Sequence, residues 1–240
     1  MRTLALALVL VFSYSLSAQS WWGSRKTVRG TGEVTVQQRD VTDFRGIEAC
    51  CNFEVVIRRG NYAVSVEAQR NLHEYIRAEV VGGRLELGFV EGVNLKTSDD
   101  IRVEVTLPEL EYLGASSNAS VRTEDEFDGR ELSIDASSGA RVMARYNGER
   151  SRADVSSGAK IEVAGAADEV RYNASSGGRI DAGRLTARTV RADVSSGANI
   201  RVNAEDKLRA NASSGGGIRY SGAVTDVDAD ASSGGSVRRQ

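Results

Sequence analysis

Six acidic or amide side chains recur at a near-constant interval in the second half of the chain: Asp135, Asp154, Asn173, Asp193, Asn211 and Asp230. Two residues before four of them stands an arginine: Arg152, Arg171, Arg191 and Arg209. Carboxylates beside guanidinium groups can hold the hydroxyls of a glycan, and two carboxylates at a set separation are what a glycosidase needs. Every copy carries similar groups, however, and a catalytic centre has to differ from its surroundings at one place. The other reading is a solvated, salt-linked ladder that keeps the surface soluble. In such a ladder the arginines and the interspersed asparagines relieve repulsion between carboxylates ~4.8 Å apart. Uniformity favours the plain ladder, and these ten residues are the candidate ligand-facing set.

The remaining candidates for chemistry are few. Cys50 and Cys51 are adjacent and are the only cysteines. Neighbouring side chains on a strand point to opposite faces, which disfavours a bond between them. The expectation is one buried thiol acting as a small apolar group and one partly exposed thiol. A vicinal disulfide or an intermolecular bridge is the alternative in an oxidising compartment. Two cysteines with the single histidine, His73, cannot close a four-ligand zinc site. The Gly-Gly-x-Gly-x-Asp calcium repeat is absent, and no Gly-x-Ser-x-Gly elbow stands out among the serines. The reading is a non-enzymatic protein with no catalytic residue, no cofactor and no metal.

What positions the acidic column is a repeated phrase. Asp135-Ala136-Ser137-Ser138-Gly139-Ala140 returns as Asp154 to Ala159, Asn173 to Gly178, Asp193 to Ala198, Asn211 to Gly216 and Asp230 to Gly235. A looser first copy is Gly114-Ala115-Ser116-Ser117-Asn118-Ala119. The first serines lie at 116, 137, 156, 175, 195, 213 and 232, so the step is about 19. Counted from the first serine, positions −1, +1, +3 and +5 are small or apolar and the even positions are polar. Basic residues Arg141, Lys160 and Arg179 hold +4. Period two denotes strands with one buried face. Each unit is too small to bury that face alone and must stack on its neighbours. Ser-Gly supplies one bend, and Asp128-Gly129, Asn147-Gly148, Ala164-Gly165, Asp181-Ala182-Gly183 and Ser221-Gly222 a second. The expected fold is all-β: a right-handed parallel β-helix over 110–240, with ~19-residue rungs and about seven of them. By position +1, one serine of each pair should point inward. The last copy is followed only by Arg238-Arg239-Gln240. Its rung is an edge that invites a partner or a second copy, which makes a homo-oligomer through this end the expectation.

Residues 1–18 read as a secretory signal peptide: Arg2, the apolar run Leu4 to Leu16, and small residues up to Ala18. Export across the inner membrane follows, to the periplasm, the outer surface or the medium. No later run approaches 18 apolar residues, so no transmembrane span is expected. A formal net charge of −2 gives no electrostatic case for nucleic acid or an anionic membrane. Residues 19–38 form an N-terminal segment that includes Trp21-Trp22. Residues 39–109 form a β-rich half with larger side chains that caps the solenoid. Phe53 to Asn61 reads as a strand entering a hairpin with Tyr62 to Ala68 as its return. Leu72 to Val80 reads as a helical turn and a strand, and Pro108 ends the alternating run from Ile101.

Several motifs fall in a familiar order. Arg39-Asp40-Val41-Thr42-Asp43-Phe44-Arg45-Gly46-Ile47 opens the series. Phe53 to Ala68, Asn71 to Ile76, Gly83 to Leu87 and Val103 to Leu110 follow, and then the Ser-Ser-Gly repeats. Together they resemble a family of exported bacterial proteins described as putative auto-transporter adhesins with a head GIN domain. The resemblance covers nearly all of the chain after the leader. It implies an all-β, β-helical domain outside the cytoplasm and brings no catalytic residues. Cys50-Cys51 departs from it, since small or polar residues are expected there. The functional expectation is surface or envelope interaction with an unknown protein or glycan. A glycan-binding or polysaccharide-active face and a purely structural envelope component are the alternatives.

Overall fold

The computed structural model describes residues 26–97 and 100–240. The expected signal peptide and Trp21-Trp22 lie outside them. Seventeen strands form one continuous sheet, and Lys26–Arg29 pairs in parallel with Val93–Lys96 beside it. The repeats stack as expected into a β-solenoid. Strands Arg141–Val155, Lys160–Ala174, Arg179–Val194 and Asn199–Ala212 each run most of the way round one rung. They pair in parallel with their neighbours, equivalent residue to equivalent residue. Ala136, Val155, Ala174, Val194 and Ala212 form one inward column, and Ala140, Ala159 and Ala198 another. Small side chains thus fill the corner of each rung, while Tyr146 and Tyr172 are fully buried elsewhere in the rungs.

The corner at each Ser-Ser pair differs from the expectation in one respect. Ser138, Ser157 and Ser196 are exposed, not inward. Their φ angles are 51°, 50° and 51°, and the glycines that follow have φ of 75°, 72° and 70°. Two successive left-handed residues reset the phase of the alternation, so period two does not run through the corner. A left-handed non-glycine residue costs about 1–2 kcal/mol. Hydrogen bonds offset that cost. The Ala140 N–H donates to the Ser137 carbonyl at 3.1 Å and closes the turn. The Gly139 N–H donates to the Ser157 carbonyl of the next rung, also at 3.1 Å, and Gly158 repeats this to Ser176.

In the inner rungs the second bend is not a turn. Strands continue through it, with Asn147 opposite Ala166 and Gly148 opposite Ala167, whereas at Ser221-Gly222 the strand ends and the next starts at Asp226. A Cβ on Gly165 would lie 2.1 Å from the Tyr146 carbonyl oxygen, so the chain curves where glycine lets main chains touch. The longer step from Ser175 to Ser195 is absorbed here, by a register shift opposite Glu162 to Ala164 on one side and shifts between Ala182 and Thr189 on the other.

The first half continues the same coil before closing it. Gly46–Ala49 and Glu54–Arg59 stack in parallel on Tyr112–Ala115 and Ser120–Thr123. Arg84–Phe89 and Arg102–Leu107 stack in turn on those two strands. Antiparallel strands Ile76–Val81 and Ala63–Gln69 then cover this layer, and Val34–Arg39 pairs outside Ala63–Gln69. The expected hairpin is therefore absent: Arg102–Leu107 lies between Glu54–Arg59 and Ala63–Gln69. The 3-10 turn Arg70–Tyr75 and the strand after it form where expected. Phe44, Phe53, Leu72 and Leu85 are fully buried here, as Phe127, Tyr146 and Tyr172 are in the rungs.

Cys50 and Cys51 form a vicinal disulfide, with Cα atoms 3.7 Å apart. The expectation of two free thiols assumed a strand, and the pair lies in a turn. Cys51 and Asn52 have φ of 67° and 64°. Because Ala49 pairs with Ala115 and Ala115 with Ala136, Cys50-Cys51-Asn52 occupies the Ser-Ser-Gly corner of its layer. At the other end, Asp226–Ala231 and Ser236–Arg239 have a paired strand on one side only among the described residues.

Candidate functional site

The ladder brings the acidic and amide residues into one column. Gly114, Asp135, Asp154, Asn173, Asp193, Asn211 and Asp230 are successive partners. Residues at −2 and 0 both point outward because −1 is in the core. Inter-rung hydrogen bonds relieve the stacked carboxylates. Asn173 Nδ2 donates to Asp154 Oδ1 at 2.9 Å, and Asn211 Nδ2 donates to Asp193 Oδ1 at 2.6 Å.

The arginines at −4 form the adjacent column, Arg152–Arg171–Arg191–Arg209. Each guanidinium has an acidic partner: Glu131 for Arg152 at 3.1 Å, Glu169 for Arg171 at 3.8 Å, Asp193 for Arg191 at 3.0 Å, and Asp228 for Arg209 at 4.0 Å. These pairs are about half exposed, so each stabilises the fold by no more than about 1 kcal/mol. Arg141, Lys160 and Arg179 form a column of their own beyond the corner. None of them lines the acidic face, so only one basic column flanks it.

Between the −2 column and the first-serine column runs an open groove of ≈ 720 Å³. One wall is Asp135, Asp154, Asn173, Asp193, Asn211 and Asp230. The other is the hydroxyl column that starts at Ser116 and ends at Ser232. Among the described residues no lysine or arginine lines it.

The head end of the groove breaks the uniformity. Gly114 takes the place of the acid, and Glu48 of the next layer pairs with it. A Cβ on Gly114 would lie 2.8 Å from the Tyr112 hydroxyl, so the missing side chain is what admits the phenol ring. Asp135 lies near the Tyr112 hydroxyl. The Arg84 guanidinium stacks on the ring, 3.5 Å from its centroid. Burial raises the Tyr112 pKa well above the ordinary tyrosine value, and the charges of Asp135 and Glu48 add to this. The phenol is a fixed donor, not a base.

Glu48, Tyr112 and Gly114 were not among the residues singled out from the sequence. A signal was available: Glu48-Ala49-Cys50-Cys51-Asn52 is an acid–Ala–pair–Asn phrase, parallel to Gly114-Ala115-Ser116-Ser117-Asn118. His73 takes no part in this face. Its Nε2 lies 3.1 Å from Thr35 Oγ1 and 3.0 Å from the Thr35 carbonyl oxygen. A second concavity of ≈ 1080 Å³ borders the head, and its charges pair with one another, as Arg59 does with Asp128 at 2.7 Å. Among the described residues no cluster of three His, Cys, Asp or Glu is arranged to hold a metal, and no helix is long and apolar enough to cross a membrane.

Solved structures share this architecture. A putative adhesin from Bacteroides fragilis is 16% identical with a TM-score of 0.79, covering 89% of this chain and 100% of that one. A putative lipid binding protein from Parabacteroides distasonis is 20% identical with a TM-score of 0.76, covering 90% and 100%. A putative adhesin from Parabacteroides merdae is 21% identical with a TM-score of 0.72, covering 90% and 99%. At these identities the likeness establishes the fold. No curated protein matches the sequence. The model of the family described as "Putative auto-transporter adhesin, head GIN domain" matches residues 43–224, and the chain belongs to that family.

Proposed function

We propose that this is an exported, non-enzymatic protein that acts by adhesin-like contact at the cell surface or envelope, with the Asp/Asn–Arg face and its groove as the contact surface. Family membership and the adhesin neighbours support the adhesin-like role. The observation that carries the contact surface is the in-register column of Asp135, Asp154, Asn173, Asp193, Asn211 and Asp230 along one groove wall. A face that offers the same groups rung after rung suits an extended ligand, whereas bond-breaking needs one singular arrangement of acid and base. One structural neighbour is described as lipid binding. Here the groove walls are carboxylates, amides and hydroxyls, which suit a hydroxylated ligand better than an acyl chain.

The test is attachment of the purified protein to envelope preparations, together with fractionation of the producing cells. The expected result is a protein recovered outside the cytoplasm whose attachment falls at least tenfold in Asp154→Ala/Asp193→Ala. Recovery in the cytoplasm, or undiminished attachment of the double variant, overturns the proposal.

A further inference from the structure

We infer that the groove takes a linear polysaccharide of neutral or amine-bearing sugars, laid along the stacking axis with one sugar per rung. This rests on the reading of the groove as a contact surface and names its occupant. Four features of the groove lead to that class.

The first is that the main chain is already used. The inner rungs that line the groove are hydrogen-bonded on both sides, as where the Ser156 N–H donates to Ala136 and the Ser175 N–H to Val155. Among the described residues the one-sided strand Asp226–Ala231 lies at the end of the groove and not along it, so a peptide lying along the groove cannot add to it as a strand. The second is the period. Like groups recur every ~4.8 Å along the axis, whereas an extended peptide presents like-facing side chains every ~6.6 Å. A peptide lying along the groove falls out of step within two rungs. A pyranose linked through opposite ring carbons is about as long as one rung is high, so each sugar meets the same pair of walls.

The third is charge. Glu48, Asp135, Asp154, Asp193 and Asp230 line the groove, and among the described residues no lysine or arginine does. The arginines at −4 are already engaged, Arg152 by Glu131 and Arg171 by Glu169. A uronate, sulfated or phosphorylated polymer would bring anions against carboxylates. A neutral sugar meets hydrogen-bond acceptors and hydroxyls, and an amine-bearing sugar gains attraction as well. The fourth is the asymmetry of the two ends. Tyr112, lying over Gly114 with the Arg84 guanidinium stacked on its ring, marks the head end. From there the column runs to Asp230 in six steps, or about 30 Å at the rung spacing. That length takes about six sugars.

The experiment is calorimetric titration of the folded protein with graded oligomers: cello-oligosaccharides as the neutral series, chitosan oligomers as the amine-bearing series, oligogalacturonates as the anionic series and a lysine-rich peptide as the cationic control. Neutral or amine-bearing oligomers should bind, with affinity climbing to about six units and levelling beyond. Oligogalacturonates should fail to bind. Asp154→Ala/Asp193→Ala should weaken binding at least tenfold with unchanged circular dichroism. Asp154→Asn/Asp193→Asn, which keeps one acceptor oxygen at each position and removes two charges, should retain the neutral series and lose the advantage of the amine-bearing one. Binding of the anionic series or the peptide in preference, affinity independent of length, or no binding by either sugar series overturns the inference. If neither sugar series binds while envelope attachment still depends on Asp154 and Asp193, the occupant is wrong and the contact surface stands. If attachment ignores both residues, the contact surface itself falls.

Discussion

The corner that reads Cys50-Cys51-Asn52-Phe53 in the head reads Ser137-Ser138-Gly139-Ala140 in the rungs, and the main chain follows the same path in both. The residues two and three of each have φ of 67° and 64° in the head and 51° and 75° in the rung. The Phe53 N–H donates to the Cys50 carbonyl as the Ala140 N–H does to Ser137. What differs is the fourth position, which points into the core. It is Phe53 in the head, then Ala119, Ala140, Ala159, Gly178, Ala198 and Gly216 along the stack. The corner's path is thus carried by the main chain and its bonds to the next layer. The fourth residue sets how much of the interior is filled at that corner. Head and rungs are one coil whose corners carry side chains of different size.

The largest effect that can break this comparison comes from that fourth position. Phe53 is fully buried and packs on Phe89 with ring centroids 5.3 Å apart. Phe53→Ala leaves a cavity in a layer whose walls are held apart by other large side chains, and should cost about 3–5 kcal/mol. Ala159→Gly, at the equivalent place in a rung, removes one methyl and adds chain entropy in the unfolded state, for about 1 kcal/mol. Urea unfolding of both variants is the measurement. Equal losses would mean that the side chain at the fourth position does not distinguish the two corners.

The repeats were legible because each column announces itself several times over. One misplaced residue in one copy cannot hide a period of 19, and the register of Asp135 with Asp154 and Asn173 follows directly. What the sequence hid was non-local or phase-dependent. Gly60-Asn61 between two alternating runs is a sound local hairpin signal, yet Arg102–Leu107, some forty residues on, takes the pairing position. The second serine of each pair looked inward because the alternation was carried through a corner that resets it. Glu48 and Tyr112 went unnoticed because they belong to layers with a divergent phrase. The acidic column of the groove was readable, but its head end was not.

A smaller effect, confined to acid, distinguishes the head from the rungs. His73 is buried among the closing strands, and burial holds its imidazole below the ordinary value of 6.5. The charge of Arg39, whose Nη2 donates to the His73 carbonyl, acts in the same direction, while the hydrogen bond that the ring donates to the Thr35 carbonyl opposes it. The folded state therefore resists a proton that the unfolded chain accepts. Stability from this site is complete above about pH 6.5 and is lost as the pH falls towards the folded-state value. Denaturant midpoints of the wild type should drop between pH 7 and pH 5, and those of His73→Gln should drop less. Equal drops would assign the acid sensitivity to the carboxylates instead.

The smallest expected effect is the most informative about the corner. Native disulfides commonly contribute 2–5 kcal/mol when they close long loops. Cys50 and Cys51 are one residue apart, so the unfolded chain loses almost no freedom through their bond. The corner is already specified by the Phe53-to-Cys50 turn bond and by the Asn52 N–H, which donates to the Ser117 carbonyl of the adjoining layer at 3.1 Å. Cys50→Ser/Cys51→Ser turns this corner into Ser-Ser-Asn, the very sequence that Ser116-Ser117-Asn118 carries one layer away at nearly the same angles. The double variant should melt within about 1 kcal/mol of the wild type. A loss above about 2 kcal/mol would show that the head needs a covalent clamp where the rungs need only hydrogen bonds, and the two halves would then hold the same bend by different means.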